Sequence, residues 1–286
     1  TAEIIGEKYQ WYLANLYRKL SSADKRERLA YLERFLYESL NPEPITDMAD
    51  AIVPRLKSRF EYQLMLQALD NAQSLPVKSI SASMVCILAI DKDTSVQMLG
   101  GNDLVALELS EAEAFKQAVA KLNRISDAPF KAISPGLYRS RFGDDHDAAR
   151  LLLVDQIQEL PVKGDPVAVA VSNAQLLISG ADDPKILTVL SKICEEIATQ
   201  ERLLSLQPLR LVDGQWQDFI AEKKPDYAGI YNLVLLERNQ NYELQKEHWD
   251  TEQSDWFIAT HQLSQEENSP FYIDSCIWSE GVPTLL

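Results

Sequence analysis

One stretch of the chain carries the residue types that chemistry needs: Gly143-Asp144-Asp145-His146-Asp147, with Arg150 close behind. Three carboxylates and an imidazole are donors for a divalent cation, and a carboxylate beside an imidazole is an acid–base pair. The same residues have a plainer reading. They form a solvated turn, with an aspartate capping the element that carries Leu151–Val154, since adjacent residues on an extended chain point in different directions and seldom converge on one ion. Just upstream, Arg139 and Arg141 stand two apart in Tyr138-Arg139-Ser140-Arg141-Phe142. On a strand they share one face, from which they grip an anionic group or pair locally with Asp144 and Asp145. Arg139, Arg141, Asp144, Asp145, His146 and Asp147 are therefore the candidate binding residues, with no catalytic residue, metal-ligand set or cofactor assigned.

The remaining chemistry-bearing residues offer less. His248 sits in an amphipathic segment and His261 at the end of a strand, each without neighbouring ligands. Ser22 and Lys25 have SxxK spacing, but at the start of a surface-like helix Ser22 reads as an N-cap. Cys86, Cys194 and Cys276 are scattered in apolar surroundings with no CxxC pair, so they read as small buried hydrophobes. No GxxxxGK[ST] loop, strand-to-helix GxGxxG, HExxH or GxSxG elbow occurs. Those sites need glycines or ligands at fixed spacing, so their absence favours a non-enzymatic protein.

The elements that position these residues are read from periodicity. Ile5, Tyr9, Tyr12/Leu13, Leu16 and Leu20, then Leu29, Leu32, Leu36 and Leu40, predict a helical hairpin ended by Asn41-Pro42-Glu43-Pro44. A third helical stretch is expected to about Asn71, started or kinked by Pro54. Met84–Ile90 suits a strand buried on both faces, with Thr94–Leu99 returning antiparallel. Asp103–Leu109 is read as a strand, followed by a helix capped by Ser110 and Glu113. Val167–Val171 and Gln175–Ser179 form a second strand pair, and Asp183-Pro184 starts a second helix. Asp213-Gly214 marks a hairpin, and Trp256–His261 pairs with Phe271–Trp278 across a polar loop. The fold expected is α+β: a helical N-terminal segment followed by mixed, mostly antiparallel sheet units with helices packed on one face. Three parts are expected, residues 1–76 (helical, docked on the next unit), 77–206 (the α+β core) and 207–286 (aromatic-rich and β-containing).

Composition bounds the setting. At 286 residues, 46% hydrophobic and 25% charged, the chain is an ordinary globular one. Its formal net charge of −15 repels phosphate backbones and anionic membrane surfaces, so neither nucleic acid nor membrane is an expected partner. The first residues lack a secretory pattern and no apolar run approaches the ~20 residues that span a bilayer, which makes the cytoplasm the expected compartment.

Asn102–Leu122, Asp144–Leu153 and Leu160–Gly180 together resemble the uncharacterised prokaryotic YtpQ-like family, a domain of unknown function. The resemblance spans about Val53 to Phe219 in the same order. It implies a strand, a capped helix, an acid-rich turn before a Leu-rich run, and a glycine-led strand pair with a final helix, in an intracellular protein. Val171-Ser172-Asn173-Ala174 departs from the Pro-Asn-Arg-Asp-like turn of that pattern, with only Asn173 matching, and the resemblance brings no catalytic residue. The leading reading is an acidic interaction or adaptor-type protein with a protein partner, its oligomeric state open. Its rivals are a metal-dependent or small-molecule enzyme centred on Asp144–Asp147, and a small-ligand sensor with a groove lined by the late aromatics.

Overall fold

The computed structural model describes residues 2–4, 7–9, 20, 24–40, 45–68, 75–92, 96–251, 257–265, 267–278, 280 and 284–285. Ala2–Ile4 (β1) and Glu7–Tyr9 (β2) form an antiparallel pair, so the stretch expected to start a helical hairpin is extended at its beginning. Ile5 and Tyr9 alone match a helical period there, whereas Ala2 and Ile4 alternate with Glu3 at strand spacing. Tyr12, Leu13 and Leu16 lie outside the described residues. The second arm is helical, Lys25–Leu40 (α1). Its cap is Asp24 rather than Ser22: Asp24 Oδ1 accepts from the Arg26 and Glu27 amides while Glu27 reaches back to the Asp24 amide.

Pro54 lies in a strand, Ile52–Ser58 (β3), and the expected third helix starts only at Arg59 (α2, Arg59–Ala68). β3 takes an edge position, where a residue without an N–H is tolerated because alternate amides point away from the sheet. It pairs antiparallel with Met84–Asp91 (β5), which Val77–Ser79 (β4) and Val96–Met98 (β6) flank on the other side. Met84–Ile90 is buried throughout, as a strand covered on both faces must be. Asp103–Leu109 is not a strand. Gly101–Ala106 (α3) is a short helix, fixed where the Asp103 carboxylate accepts the Gly100 amide at 2.7 Å, and it buries Leu104 while leaving Val105 exposed. The next helix, Glu111–Arg124 (α4), carries the expected reciprocal cap, Ser110 Oγ with the Glu113 amide and Glu113 with the Ser110 amide.

Phe130–Ser134 (β7) and Leu137–Ser140 (β8) lead into the acidic turn, a 3-10 turn at Ala148–Leu152 and the short helix Val154–Gln158 (α5). Pro166–Ser172 (β9) and Gln175–Gly180 (β10) make the expected hairpin, and Pro184–Gln200 (α6) follows with Asp183 as its cap. Leu209–Val212 (β11) and Gln215–Asp218 (β12) turn at Asp213-Gly214, both at positive φ. These strands form one six-stranded sheet in the order β12-β11-β9-β10-β8-β7, so residues 209–218 hydrogen-bond directly to the strand pair of residues 166–180. Ala228–Thr251 (α7) is a long helix. The late strands pair in a register different from the expected one. Phe257–Ile258 (β13) runs parallel to Thr284–Leu285 (β16), and His261–Gln265 (β14) pairs with Tyr272–Cys276 (β15), because the polar residues Gln262 and Ser264 alternate outward along an edge instead of forming a loop.

Three layers result. Met84, Cys86, Leu88 and Ile90 of β5 meet Ala168, Ala170, Leu176 and Ile178 of β9 and β10 in one core, sheet against sheet. The opposite face of the six-stranded sheet, Val167, Val169, Val171 and Leu177, packs on Leu187, Leu190 and Cys194 of α6 and Ile230 and Leu233 of α7. The protein is thus α+β, with an N-terminal helix followed by mixed antiparallel sheets flanked by helices; the two strand-pair-then-helix units belong to different sheets. Gly180 closes β10 where a Cβ would stand 2.1 Å from the Lys163 carbonyl oxygen. Backbone on both sides leaves nothing cheap to move, so Gly180→Ala is expected to lower the urea-unfolding free energy by about 1–3 kcal/mol.

Candidate functional site

The acidic turn folds around Arg150. Its guanidinium has no exposed surface and makes four hydrogen bonds: Nη1 donates to Asp144 Oδ1 and Asp147 Oδ1, both at 2.8 Å, Nη2 to Asp144 Oδ2 at 2.7 Å, and Nε to Ser126 Oγ at 2.8 Å. The Phe142 ring covers its face, 4.0 Å away. Asp147, also without exposed surface, accepts the Phe142 and Gly143 amides at 3.3 and 2.5 Å, and Asp144 accepts the His146 amide at 3.0 Å. Gly143 and Asp145 at positive φ give the turn the curl that brings both carboxylates onto one cation. Asp144 and Asp147 therefore converge on an arginine rather than on a vacant cation position, and among the described residues no group of three His, Cys, Asp or Glu side chains is placed to hold a metal ion.

His146 faces the other way. Its Nε2 lies 3.0 Å from Asp91 Oδ2 at the end of β5, while Nδ1 is buried and has no hydrogen-bond partner among the described residues. The ionised carboxylate can only accept, so Nε2 carries the proton. Asp145 contributes its carbonyl, which accepts from Arg55 Nη1 on β3. Arg139 and Arg141 do not join this cluster. β8 ends at Ser140, so the two do not share a strand face: Arg139 Nε donates to Gln175 Oε1 at 2.7 Å and Arg141 Nη2 to the Asp127 carbonyl at 2.6 Å.

Burial pushes the Asp91 carboxyl up, but the hydrogen bond and charge of His146, with Arg55 and Lys121 nearby, outweigh it and hold the group below its ordinary value of 3.8. Asp144 is likewise held low, burial being outweighed by Arg150 and the His146 amide. Asp147 goes up, because burial and the charge of Asp144 outweigh the Gly143 amide and Arg150. Elsewhere, burial pushes the Cys86 thiol up to about 12 and the Cys194 thiol up as well, which makes both poor nucleophiles; Cys276 is only partly buried. His261 bonds Asn239 Oδ1 through Nδ1 at 2.9 Å and stacks on Tyr242, a packing role; the His248 side chain lies outside the described residues.

A second polar feature went unread in the sequence. Glu237 lies on α7, inside a run whose neighbours Leu233, Leu235 and Leu236 mark a core face. It is 92% buried, being 8% exposed, and lines an open cleft of about 450 Å³ with Phe60, Ser83, Gln207 and Tyr242. Its Oε2 accepts from Ser205 Oγ at 2.8 Å, from the Leu206 amide at 2.6 Å and from the Gln207 amide. A lone glutamate in a helix signals nothing by spacing; only the fold brings the Ser205–Gln207 loop to it. Comparison with protein-family models, with curated proteins and with solved structures finds no match.

Removing Arg150 leaves two carboxylates facing each other, one fully buried. Arg150→Ala is expected to cost about 3–5 kcal/mol in urea unfolding, with Arg150→Lys, which keeps the charge and loses the fork, falling between it and wild type. The lowered Asp91 and Asp144 carboxyls contribute stability that is present above 3.8 and lost as pH falls through their folded-state values. Asp147, pushed up, works in the opposite sense. Asp91→Asn and Asp144→Asn should each flatten the acid limb of stability measured below about pH 4.

Proposed function

We propose that this protein works by binding a protein partner in the cytoplasm rather than by catalysis. The observation that carries the reading is on α1. Leu29 and Leu36 stand seven residues apart, on one side of the helix, and are 60% and 48% exposed. Two leucines at that spacing, flanked by Arg26, Glu33 and other charged residues, form the short apolar seam by which a helix lies in a groove or against another helix. The acidic turn supports the non-catalytic part, since Asp144, Asp147 and Arg150 are spent on one another. The net charge of −15 favours a partner with basic surface around an apolar contact. No helix among the described residues is long and apolar enough to cross a membrane. Membership of the YtpQ-like family belongs to the same proposal and rests on the three sequence stretches quoted above.

Leu29→Glu/Leu36→Glu changes exposed side chains and should shift unfolding by no more than about 0.5 kcal/mol. Affinity capture from lysate across a salt series, with cross-links mapped by mass spectrometry, should recover a protein attached to α1 with wild type and lose it with the double variant. Identical recovery with both proteins, or cross-links confined to other surfaces, contradicts the reading.

A further inference from the structure

Two strand edges of the larger sheets are guarded against pairing with another chain. β3 carries Pro54 and Lys57, and β7 carries Lys131 and a break in register between Ala132 and Ser134. The outer edge of β15 has none of these devices, and β15 runs against β14 without a bulge. Its one charged residue, Asp274, is held on the α7 side by Arg238 Nη1 at 3.0 Å.

Both the side chains and the backbone of this edge face outward in a regular way. His261, the cross-strand neighbour of Cys276, stacks on Tyr242 of α7, so alternation turns Ile273, Ser275 and Ile277 away from the helix. Ile273 is 41% and Ile277 54% exposed, and Trp278, 62% exposed, follows them. The Ile277 amide donates to the Thr260 carbonyl, which turns the backbone groups of Ile273, Ser275 and Ile277 toward β14 and those of Tyr272, Asp274 and Cys276 outward. Asn232 Oδ1 takes the Tyr272 amide at 2.9 Å, while the Asp274 and Cys276 amides have no hydrogen-bond partner among the described residues.

The same residues read alike in both directions. In Tyr272-Ile273-Asp274-Ser275-Cys276-Ile277-Trp278, Ser275 is the centre, an isoleucine stands two residues to either side and an aromatic three to either side. Two copies of one strand paired antiparallel about a two-fold axis need that symmetry, since paired residues are equidistant from the axis. With the axis at Ser275, Ile273 faces the partner's Ile277, and the Asp274 amide and carbonyl meet the carbonyl and amide of the partner's Cys276, each contact occurring twice. Asp274 then lies opposite a cysteine and keeps its own Arg238, so no like charges stand directly opposite one another.

We infer that β15 is a self-association edge, to which a second copy of this chain adds antiparallel through its own β15. Three exposed apolar side chains from each copy fall short of the roughly 1,200–2,000 Å² that stable dimers bury, so the association is weak and concentration-dependent. The edge is separate from the α1 seam, and either can fail without the other.

Sedimentation velocity of the whole protein should show a reversible monomer–dimer equilibrium with a dissociation constant of about 10 μM to 1 mM. Cys276→Pro removes an outward amide that no bond within the chain uses, and Ile273→Lys/Ile277→Lys sets like charges opposite one another. Each should weaken dimerisation at least about tenfold with the far-UV circular dichroism unchanged. Directly opposed residues of a pair that is not hydrogen-bonded stand about 4.5 Å apart at Cα, within disulfide reach, so Ser275→Cys in a Cys276→Ser background should oxidise to a dimer bridged through position 275 of each copy. Absence of that bridge at concentrations where the dimer is populated, or a dimer that survives Ile273→Lys/Ile277→Lys undiminished, overturns the assignment. So does a wild type that stays monomeric up to about 1 mM, which would leave the edge to an extended segment of another protein.

Discussion

A guanidinium with no exposed surface must be neutralised where it sits, and the centre of this fold is organised by that requirement. Arg150 takes two carboxylates, a hydroxyl and an aromatic face, with four hydrogen bonds from its five N–H donors. The consequence is that residues 142–150 have one conformation. Asp147 can reach Arg150 only if the chain curls through positive φ at Gly143 and Asp145, and the curl aims the neighbouring groups outward in fixed directions. His146 then meets Asp91 on β5, the Asp145 carbonyl meets Arg55 on β3, and the Ala148 amide reaches the Asn173 carbonyl in the β9–β10 turn. Three residues beyond Ala148, the Leu151 carbonyl accepts from Trp216 Nε1 on β12 at 3.0 Å. One segment of about ten residues thus ties the four-stranded sheet, the six-stranded sheet and the end of α4 together. Ala148 and Leu151 lie in the apolar core between the two sheets, so the polar clasp and the hydrophobic contact fix the same geometry.

The parts of this arrangement legible in the sequence are those with local causes. The Ser110–Glu113 cap, the Asp183-Pro184 helix start, the Asp213-Gly214 turn and the doubly buried Met84–Ile90 strand each follow from residues within a few positions of one another, and each stands as expected. Expectations failed where a tertiary contact outvoted a local one. Pro54 suggested a helix break, yet a free strand edge receives it; Asp103–Leu109 alternates like a strand, yet the Asp103 cap on Gly100 winds it into a helix. The acidic turn was visible as a cluster, but its meaning depended on Arg150 and Ser126 arriving together, and Ser126 comes from the turn that follows α4. Arg139 and Arg141 were grouped by a strand that stops one residue too soon.

The chemistry-bearing residues of the chain divide accordingly. Of those that stand together in sequence, Asp144, Asp147 and Arg150 satisfy one another and serve the fold, while His146 turns to Asp91. Glu237 stands alone in sequence among leucines, and the Ser205–Gln207 loop that donates to its Oε2 comes from a distant segment.

Native-state hydrogen exchange on the wild-type protein tests the clasp most directly. If Arg150 fixes the turn, the Phe142, Gly143 and His146 amides, though they lie in a loop with no regular secondary structure, exchange as slowly as the amides of β5 and β9 and share their dependence on denaturant. Exchange of those three amides at rates close to those of an unprotected loop, with β5 and β9 still protected, would show that the turn opens on its own and that the sheets are held together without it.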